Sequence, residues 1–413
     1  KMKNSNGKNI LIVTQYFWPE NFLINNFALH LKKYANVTVL TGLPNYPDGK
    51  IFKKYNKIKK IFTENWEGIK VVRIPIIPRK KGGAVNLSLN YLSFLLNGTF
   101  LANKIDFKTK LDHILFYSTS PITSCLPAIK LKKIYNCRLS IWVQDLWPES
   151  LEATGYIKNR IILKLFSFIV KFIYKKCDYI FAQSKSFIKN IKKYTSKKKV
   201  TVLYNSHIVK SDSNIKKKNI DPKILKLLTQ RKCFAFTGNI GKAQSVETII
   251  DCARIIEKKN NKIHFFIIGA GSQKNEIRKL IKEYKLSNVT LHGPFKPNIV
   301  DYILKKTASN IITLKKHNIF SLTIPNKLQT YLLSGRPIVC AADGELNNII
   351  KRNNIGLAVR AEDYINLSKA ILKISNFNKT QIASYRKQNI SFYNNNFEID
   401  KQVKLFLKKI KIL

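Results

Sequence analysis

Short apolar runs recur along the chain, and most are followed by a stretch whose apolar positions repeat every third or fourth residue. The first run, NILIVTQYF from Asn9, leads through WPEN into FLINNFALHLKKYA and then into NVTVLTG. An apolar run, a helical repeat and a second run at this spacing predict strand, helix, strand. KVVRIPII, HILFYST, CRLSIWVQ, YIFAQS and KVTVLYN continue the series, with helical segments between most of them. Runs that are continuously apolar suit a mostly parallel sheet covered on both faces.

The pattern breaks at SDSNIKKKNIDPK, Ser211 to Lys223, where polar and charged residues take over. It then restarts with CFAFTGN, IHFFIIGAG, VTLHGPF, NIITL and PIVCAA. The expectation is therefore two parallel-sheet α/β domains, 1–210 and 231–390, joined by a linker over 211–230. With 413 residues the chain is too long for one ordinary core. The last segment, 391–413, contains FEIDKQVKLFLKKIKIL, a basic amphipathic helix expected to pack back toward the first domain. No short internal repeat is found.

Two such domains facing each other would enclose a cleft at the carboxyl ends of their strands, where ligands of doubly wound sheets bind. The loops just after strands therefore carry the chemistry. In the second domain FTGNIGKAQS supplies Gly238 and Gly241 for close backbone approach, with Asn239, Lys242 and Gln244 as donors. IIGAGS repeats the theme with Gly269 and Gly271. TIPNKLQTYLLSGRPIV places Asn326 and Lys327 ahead of a helix, Leu328 to Ser334, that Gly335 can end before a strand from Ile338 to Ala341. Three donor-rich loops, with a helix N-terminus and a cation, point to an anion, and a nucleoside diphosphate is the natural guess. No D-x-D-like acidic pair stands beside them. Lys327 and backbone donors would take the place of a divalent metal. In the first domain WVQDLWPES sets Asp145 and Glu149 beside Trp147 at a strand's end; the bland alternative is a helix N-cap and a first-turn Glu. QYFWPEN adds Trp18 and Glu20, and TGLPNYPDGKIF is a Pro/Gly loop with Asn45, Tyr46 and Asp48.

Charge changes the picture less than its size suggests. Lys plus Arg number 74 against 24 Asp plus Glu, a formal charge of +50, which brings nucleic acid, anionic membrane and phosphorylated ligands into view. Lysine, isoleucine and asparagine are abundant throughout, as a genome rich in A and T would produce. The lysines run along every element and form no basic stripe with interleaved aromatics, so no specific nucleic-acid partner is expected. Six cysteines form no C-x-x-C pair and read as small buried hydrophobes of a reducing compartment. The six histidines lack metal-ligand spacing, so no metal is expected. No apolar stretch looks like a signal h-region or a spanning helix. Two segments suit a membrane surface instead: Asn86 to Lys104, very apolar with Asn residues through it, and Ile157 to Lys176, apolar and studded with Lys and Arg. A core helix with a solvated edge is the alternative for both.

Taken together, ILIVTQYFWPENFLIN, LTGLPNYPDGKIF, YSTSPITS, WVQDLWPES, FTGNIGKAQSVETII, GAGSQKNEI and PNKLQTYLLSGRPIVCAADGE resemble family-four glycosyltransferases of the GT-B fold. The resemblance spans nearly the whole chain. It is nearest to bacterial O-antigen, capsule and colanic-acid type enzymes that transfer N-acetyl-L-fucosamine or related amino sugars. It implies a GT-B fold and retaining transfer without metal or other cofactor. It also implies a UDP-N-acetyl sugar on the second domain and an undecaprenyl-diphosphate-linked sugar on the first, at the inner membrane face of the cytoplasm. Many relatives carry E-x7-E where this chain has Leu322 and Thr330, a departure shared by the subgroup that reads KLQTY. Gln329, Thr330 or Glu345 is then expected at the ribose. Asp145 stands where the family often has a His that contacts the donor sugar, and it is expected with Lys327 to be catalytic. Trp18, Glu20, Asn45 and Glu149 are expected at the acceptor. The rival readings are a GT-B nucleotide-sugar epimerase, a basic nucleic-acid-binding protein and a catalytically dead scaffold.

Overall fold

A computed structural model describes residues 7–80, 83–105, 107, 110–153, 157, 159–195, 199–207 and 220–413. The chain forms two compact units, Lys1–Ser206 with Ile399–Leu413, and His207–Glu398. The first contains strands β1 (Asn9–Val13), β2 (Asn36–Gly42), β3 (Phe62–Trp66), β4 (Ile69–Ile74), β5 (His113–Ser118), β6 (Arg138–Val143), β7 (Tyr179–Ala182) and β8 (Val200–Val202). They form one sheet in the order β3-β4-β2-β1-β5-β6-β7-β8. All neighbours are parallel except β3 and β4, a hairpin at the edge. The order steps outward from β1 in both directions, so the switch point lies between β1 and β5.

The second unit repeats the plan with β9 (Lys232–Asn239), β10 (Ile263–Ala270), β11 (Val289–His292), β12 (Ser309–Thr313), β13 (Ile338–Ala341) and β14 (Gly356–Val359). Its sheet runs β11-β10-β9-β12-β13-β14, parallel throughout, with the switch point between β9 and β12. Phe234, Phe236, Phe265 and Ile267 on the strands pack with Ile249, Ile250, Ala253 and Ile256 of the helix Glu247–Lys259. Their spacing of three and four along that helix is the apolar stripe read in the sequence.

Two strands escape the apolar-run reading. β3 reads FTENW, with one polar residue after another and an alternating half-exposed pattern, as an antiparallel edge strand should. β14 is only GLAV, short enough to pass for the end of a loop. The unit boundaries also differ from the expected ones. Residues 222–230, expected as linker, form the helix Pro222–Gln230, N-capped by Asp221, whose side chain accepts from Lys223 N. Ile224 is buried, and this anchors the helix to the second unit. The remaining linker residues 211–219 lie outside the described residues. At the other end the helix Lys379–Asn396 stays with the second unit, and the return to the first begins at Ile399. The helix Ile399–Lys409 places Phe406 against the rings of Phe27, His113 and Phe181. Its lysines face outward, so the basic amphipathic pattern there serves the core of the first unit.

Candidate functional site

In the second unit the loops after β9 and β12 flank the switch point and are tied together. Thr313 Oγ1 donates to the carbonyl of Gln244, and Lys315 N donates to the carbonyl of Ala243 at 3.0 Å. These bonds aim the Gln244 side chain at Lys327, whose Nζ donates to Gln244 Oε1. Lys327 opens the helix Lys327–Ser334 and its ammonium lies 4.5 Å from the centre of the Phe236 ring. Gly238 makes room for it: its φ is +117°, and a Cβ there would lie 3.1 Å from Lys327 Cε. Tyr331, one turn along, is fully buried and accepts from Thr237 N at 2.8 Å, which fixes the helix to the end of β9.

The electrostatics of Lys327 follow from this packing. No ion pair among the described residues includes it. Burial of its ammonium without an acid lowers its pKa from 10.5 to about 7. A cation held at a helix N-terminus by a neutral amide and a ring lacks an anion, and a diphosphate supplies one. Asn239, Lys242 and Asn326 are exposed at the rim of the same loops, while Gly241 and Thr330 are partly exposed. Gln329, Glu345 and Gly269 are buried. Asn326 sits at the N-cap position without using its side chain as a cap.

In the first unit the loops after β5 and β6 make a second polar arrangement. Ser120 Oγ donates to Asp145 Oδ2 at 2.9 Å and accepts from Trp147 Nε1 at 3.0 Å. Asp145 is therefore not a helix cap, since its partner comes from the neighbouring strand end. Burial raises its carboxyl pKa above the ordinary value, and the Ser120 bonds partly offset this. Neighbouring Gln144 accepts from Asn205 Nδ2 at 2.7 Å, and its own buried Nε2 has no partner among the described residues. Sequence reading passed over Ser120, although it stands in YSTSPITS at a strand's carboxyl end, the signal that pointed to Asp145.

The carboxylate of Glu20 and the amide of Asn45 serve the fold, contrary to the expected acceptor contact. Glu20 is 2% exposed and accepts three backbone N–H bonds, from Asn45 and Tyr46 at 2.8 Å each and from Phe17 at 3.2 Å. It clamps the loop after β1 to the loop after β2. Burial pushes its pKa up to about 7 against the pull of those donors. Asn45 is fully buried, accepts from Arg79 N at 3.1 Å and donates to Leu43 O at 3.2 Å. Trp18 stacks on Trp66 with ring centres 5.7 Å apart, and Glu149 accepts from Tyr194 at 3.2 Å. Glu20→Ala should thus cost stability, on the order of 3 kcal/mol for three orphaned buried N–H groups, in a denaturant titration. Ligand binding by the second unit should be unchanged. A variant as stable as the parent would return Glu20 to the candidate acceptor residues.

Comparison with known proteins completes this picture. Residues 217–381 match the family described as Glycosyl transferases group 1. Among curated proteins, the chain is 21% identical over 302 residues to the probable glycosyltransferase WbjE of Pseudomonas aeruginosa, covering 70% of this chain and 74% of that one. It is 22% identical over 322 residues to the putative colanic acid biosynthesis glycosyl transferase WcaI of Escherichia coli K12, covering 74% and 75%. Among solved structures, one described as trehalose-6-phosphate from E. coli bound with UDP-2-fluoro glucose superposes with a TM-score of 0.73 at 11% identity, over 98% of this chain and 99% of that one. The shared architecture is the GT-B fold.

Proposed function

With a group 1 glycosyl transferase domain over residues 217–381 as premise, we propose that this chain is a retaining glycosyltransferase. It moves an N-acetyl amino sugar, N-acetyl-L-fucosamine or a close relative, from UDP to a polyprenyl-diphosphate-linked saccharide. The observation that carries the reading is Lys327: an ammonium in no ion pair among the described residues, near the switch point, hydrogen-bonded to Gln244 and adjoining donor-rich loops. As the sugar–phosphate bond breaks, negative charge grows on the leaving UDP, and Lys327 with the N-terminus of its helix stabilises it. The acceptor hydroxyl attacks from the face the UDP leaves, and its proton passes to the departing phosphate oxygen. The transfer runs without a metal because Lys327 supplies the positive charge. Asp145, held by Ser120, accepts a hydrogen bond from a sugar hydroxyl and orients the ring. The relative described as acting in colanic acid biosynthesis and the neighbour described with UDP-2-fluoro glucose support the donor and pathway class.

The acceptor is a lipid, so the enzyme works at a membrane face, the cytoplasmic one. Among the described residues no helix is long and apolar enough to cross a membrane. The helix Arg160–Lys176 exposes Ile161, Leu165, Phe168 and Phe172 at helical spacing, with Lys175 and Lys176 in its last turn. An exposed apolar stripe beside lysines suits the surface of an anionic bilayer. This helix packs on the turn Ile122–Cys125, which follows Ser120.

Calorimetry tests the nucleotide half directly. UDP should bind in the presence of a chelator. Binding at pH 7 to 8 should take up a proton, because the diphosphate raises the Lys327 pKa from about 7. Affinity should fall as pH rises above 7, and Lys327→Met should remove both the uptake and the slope. Absence of UDP binding would overturn the reading; binding lost to the chelator would overturn the metal-free step.

A further inference from the structure

A cavity of about 550 Å³ opens in the first unit at the carboxyl end of its sheet, between the loops that follow β2 and β4. Its apolar lining includes Ile51, Ile76 and Pro78, and three lysines, Lys50, Lys59 and Lys80, line it as well. No carboxylate is among the lining residues, and none of the three lysines belongs to an ion pair among the described residues. Nearby Glu64 is already taken by Lys54 and Arg73. The cavity is built in advance. Lys80 N donates to Gly49 O at 2.7 Å, and Lys80 itself sits at φ +49°, a left-handed conformation unusual for a residue with a side chain. Gly49 has φ +75°, and a Cβ there would lie 1.6 Å from Lys80 O, so only glycine lets the two loops meet. A basic pocket with an apolar floor suits a ligand that is anionic at one end and hydrocarbon at the other.

The helix Ala84–Leu101 continues the apolar side. Asn97 Nδ2 donates to Pro75 O at 2.8 Å and Asn90 Nδ2 to Ile77 O at 2.6 Å, while Ile77 N donates to Ser93 Oγ at 2.9 Å. These polar residues, puzzling in so apolar a segment, pin the helix onto the loop that lines the cavity. On the helix, Val85, Leu89, Leu92, Leu96 and Phe100 then stand exposed, Val85 at 72% and Phe100 at 69%. Their spacing of three and four makes one stripe, with Ser88 also exposed in it, on the helix pinned to the cavity's loop. Ile77, 42% exposed, stands on the pinned loop between the lining residues Ile76 and Pro78, and its backbone bonds to Ser93 and Asn90 of the helix.

We infer that this cavity binds the diphosphate end of a lipid-linked acceptor, with the first isoprene units along the stripe of the helix Ala84–Leu101. The inference rests on the proposed reading of the acceptor as a polyprenyl diphosphate, and adds where its anionic end is held. Lys50, Lys59 and Lys80 neutralise the diphosphate, and the apolar residues cover the adjoining hydrocarbon.

The test titrates the full chain, kept saturated with UDP, with farnesyl diphosphate, farnesol and inorganic diphosphate. Farnesyl diphosphate should bind more tightly than either of the others, since both ends contribute. The triple change Lys50→Ala, Lys59→Ala, Lys80→Ala should weaken it about ten-fold or more, three exposed charges each contributing modestly. Leu89→Ser with Leu96→Ser should weaken it roughly ten-fold while leaving inorganic diphosphate unchanged. All five positions are at the surface, so the variants should fold, and their UDP affinity should match the parent's. Unchanged farnesyl diphosphate binding in the triple variant, or diphosphate binding as tightly as its farnesyl ester, would overturn the inference. UDP binding reports separately on the nucleotide site. Its presence without farnesyl diphosphate binding would defeat the cavity assignment alone, and its absence would defeat the proposed enzyme.

Discussion

Replacing Lys327 by Ala is expected to lower turnover by about a hundred- to a thousand-fold, the effect of removing one preorganised charge from a developing anion. The same change should not lower the melting temperature. Lys327 has no acid partner among the described residues, and its burial pulls its pKa to about 7, so the folded state bears a cost whenever the ammonium is charged. The sign follows from linkage. A lysine whose pKa is lowered on folding binds fewer protons in the folded state, so the parent gains stability as pH rises from about 7 toward the ordinary lysine range. Lys327→Met keeps an unbranched apolar side chain in that place and removes the ammonium that lies over the Phe236 ring. It should therefore melt higher than the parent at pH 6 and show a smaller advantage at pH 9. Loss of activity in proportion to loss of melting temperature would instead make the residue structural.

Asp145→Asn is expected to give the second-largest loss, on the order of a hundred-fold in kcat/KM. The amide keeps the size of the carboxylate and can still accept from Ser120 Oγ, so the melting temperature should hardly move. What it lacks is the charge that strengthens a hydrogen bond to a sugar hydroxyl. Burial lifts the Asp145 pKa above the ordinary carboxylate range. The parent should then lose activity on the acid side as this group protonates, and the variant should lack that limb. Ser120→Ala provides the companion measurement: it removes the donor that lowers the Asp145 pKa, so the acid limb should move to higher pH. An acid limb that stays unchanged in both variants would assign it to another group.

Most strands were legible because each is a continuous apolar run, and buried parallel strands require that. β3 escaped because an antiparallel edge strand faces water and reads as polar. The loops after strands were likewise legible, since fold topology places ligands there. The roles within those loops were not, because they depend on partners far along the chain. Lys327 gains its meaning from Gln244, 83 residues away, and Asp145 from Ser120, 25 residues away. Glu20 looked like a free carboxylate among aromatic residues, yet its Oε1 is taken by two N–H groups of a loop that folds over it from 25 or 26 residues further on, and its Oε2 by Phe17 N. The segment Asn86 to Lys104 read as very apolar with Asn residues through it, and the part those Asn residues play was not legible. Their spacing puts Asn90 and Asn97 on one face of the helix, against backbone carbonyls, which leaves Val85, Leu89, Leu92, Leu96 and Phe100 exposed on a neighbouring face that also carries Ser88.

The central claim is sugar transfer from a uridine nucleotide. The measurement that meets it most directly is the mass of the product. The protein would be incubated with a panel of UDP-N-acetyl sugars and a short-chain polyprenyl-diphosphate-GlcNAc, in the presence of a chelator. The expected result is a lipid product heavier by one N-acetyl sugar, formed with the parent and lost with Lys327→Ala. UDP-sugar that stays intact, or is converted only to its epimer with every acceptor tried, would contradict it.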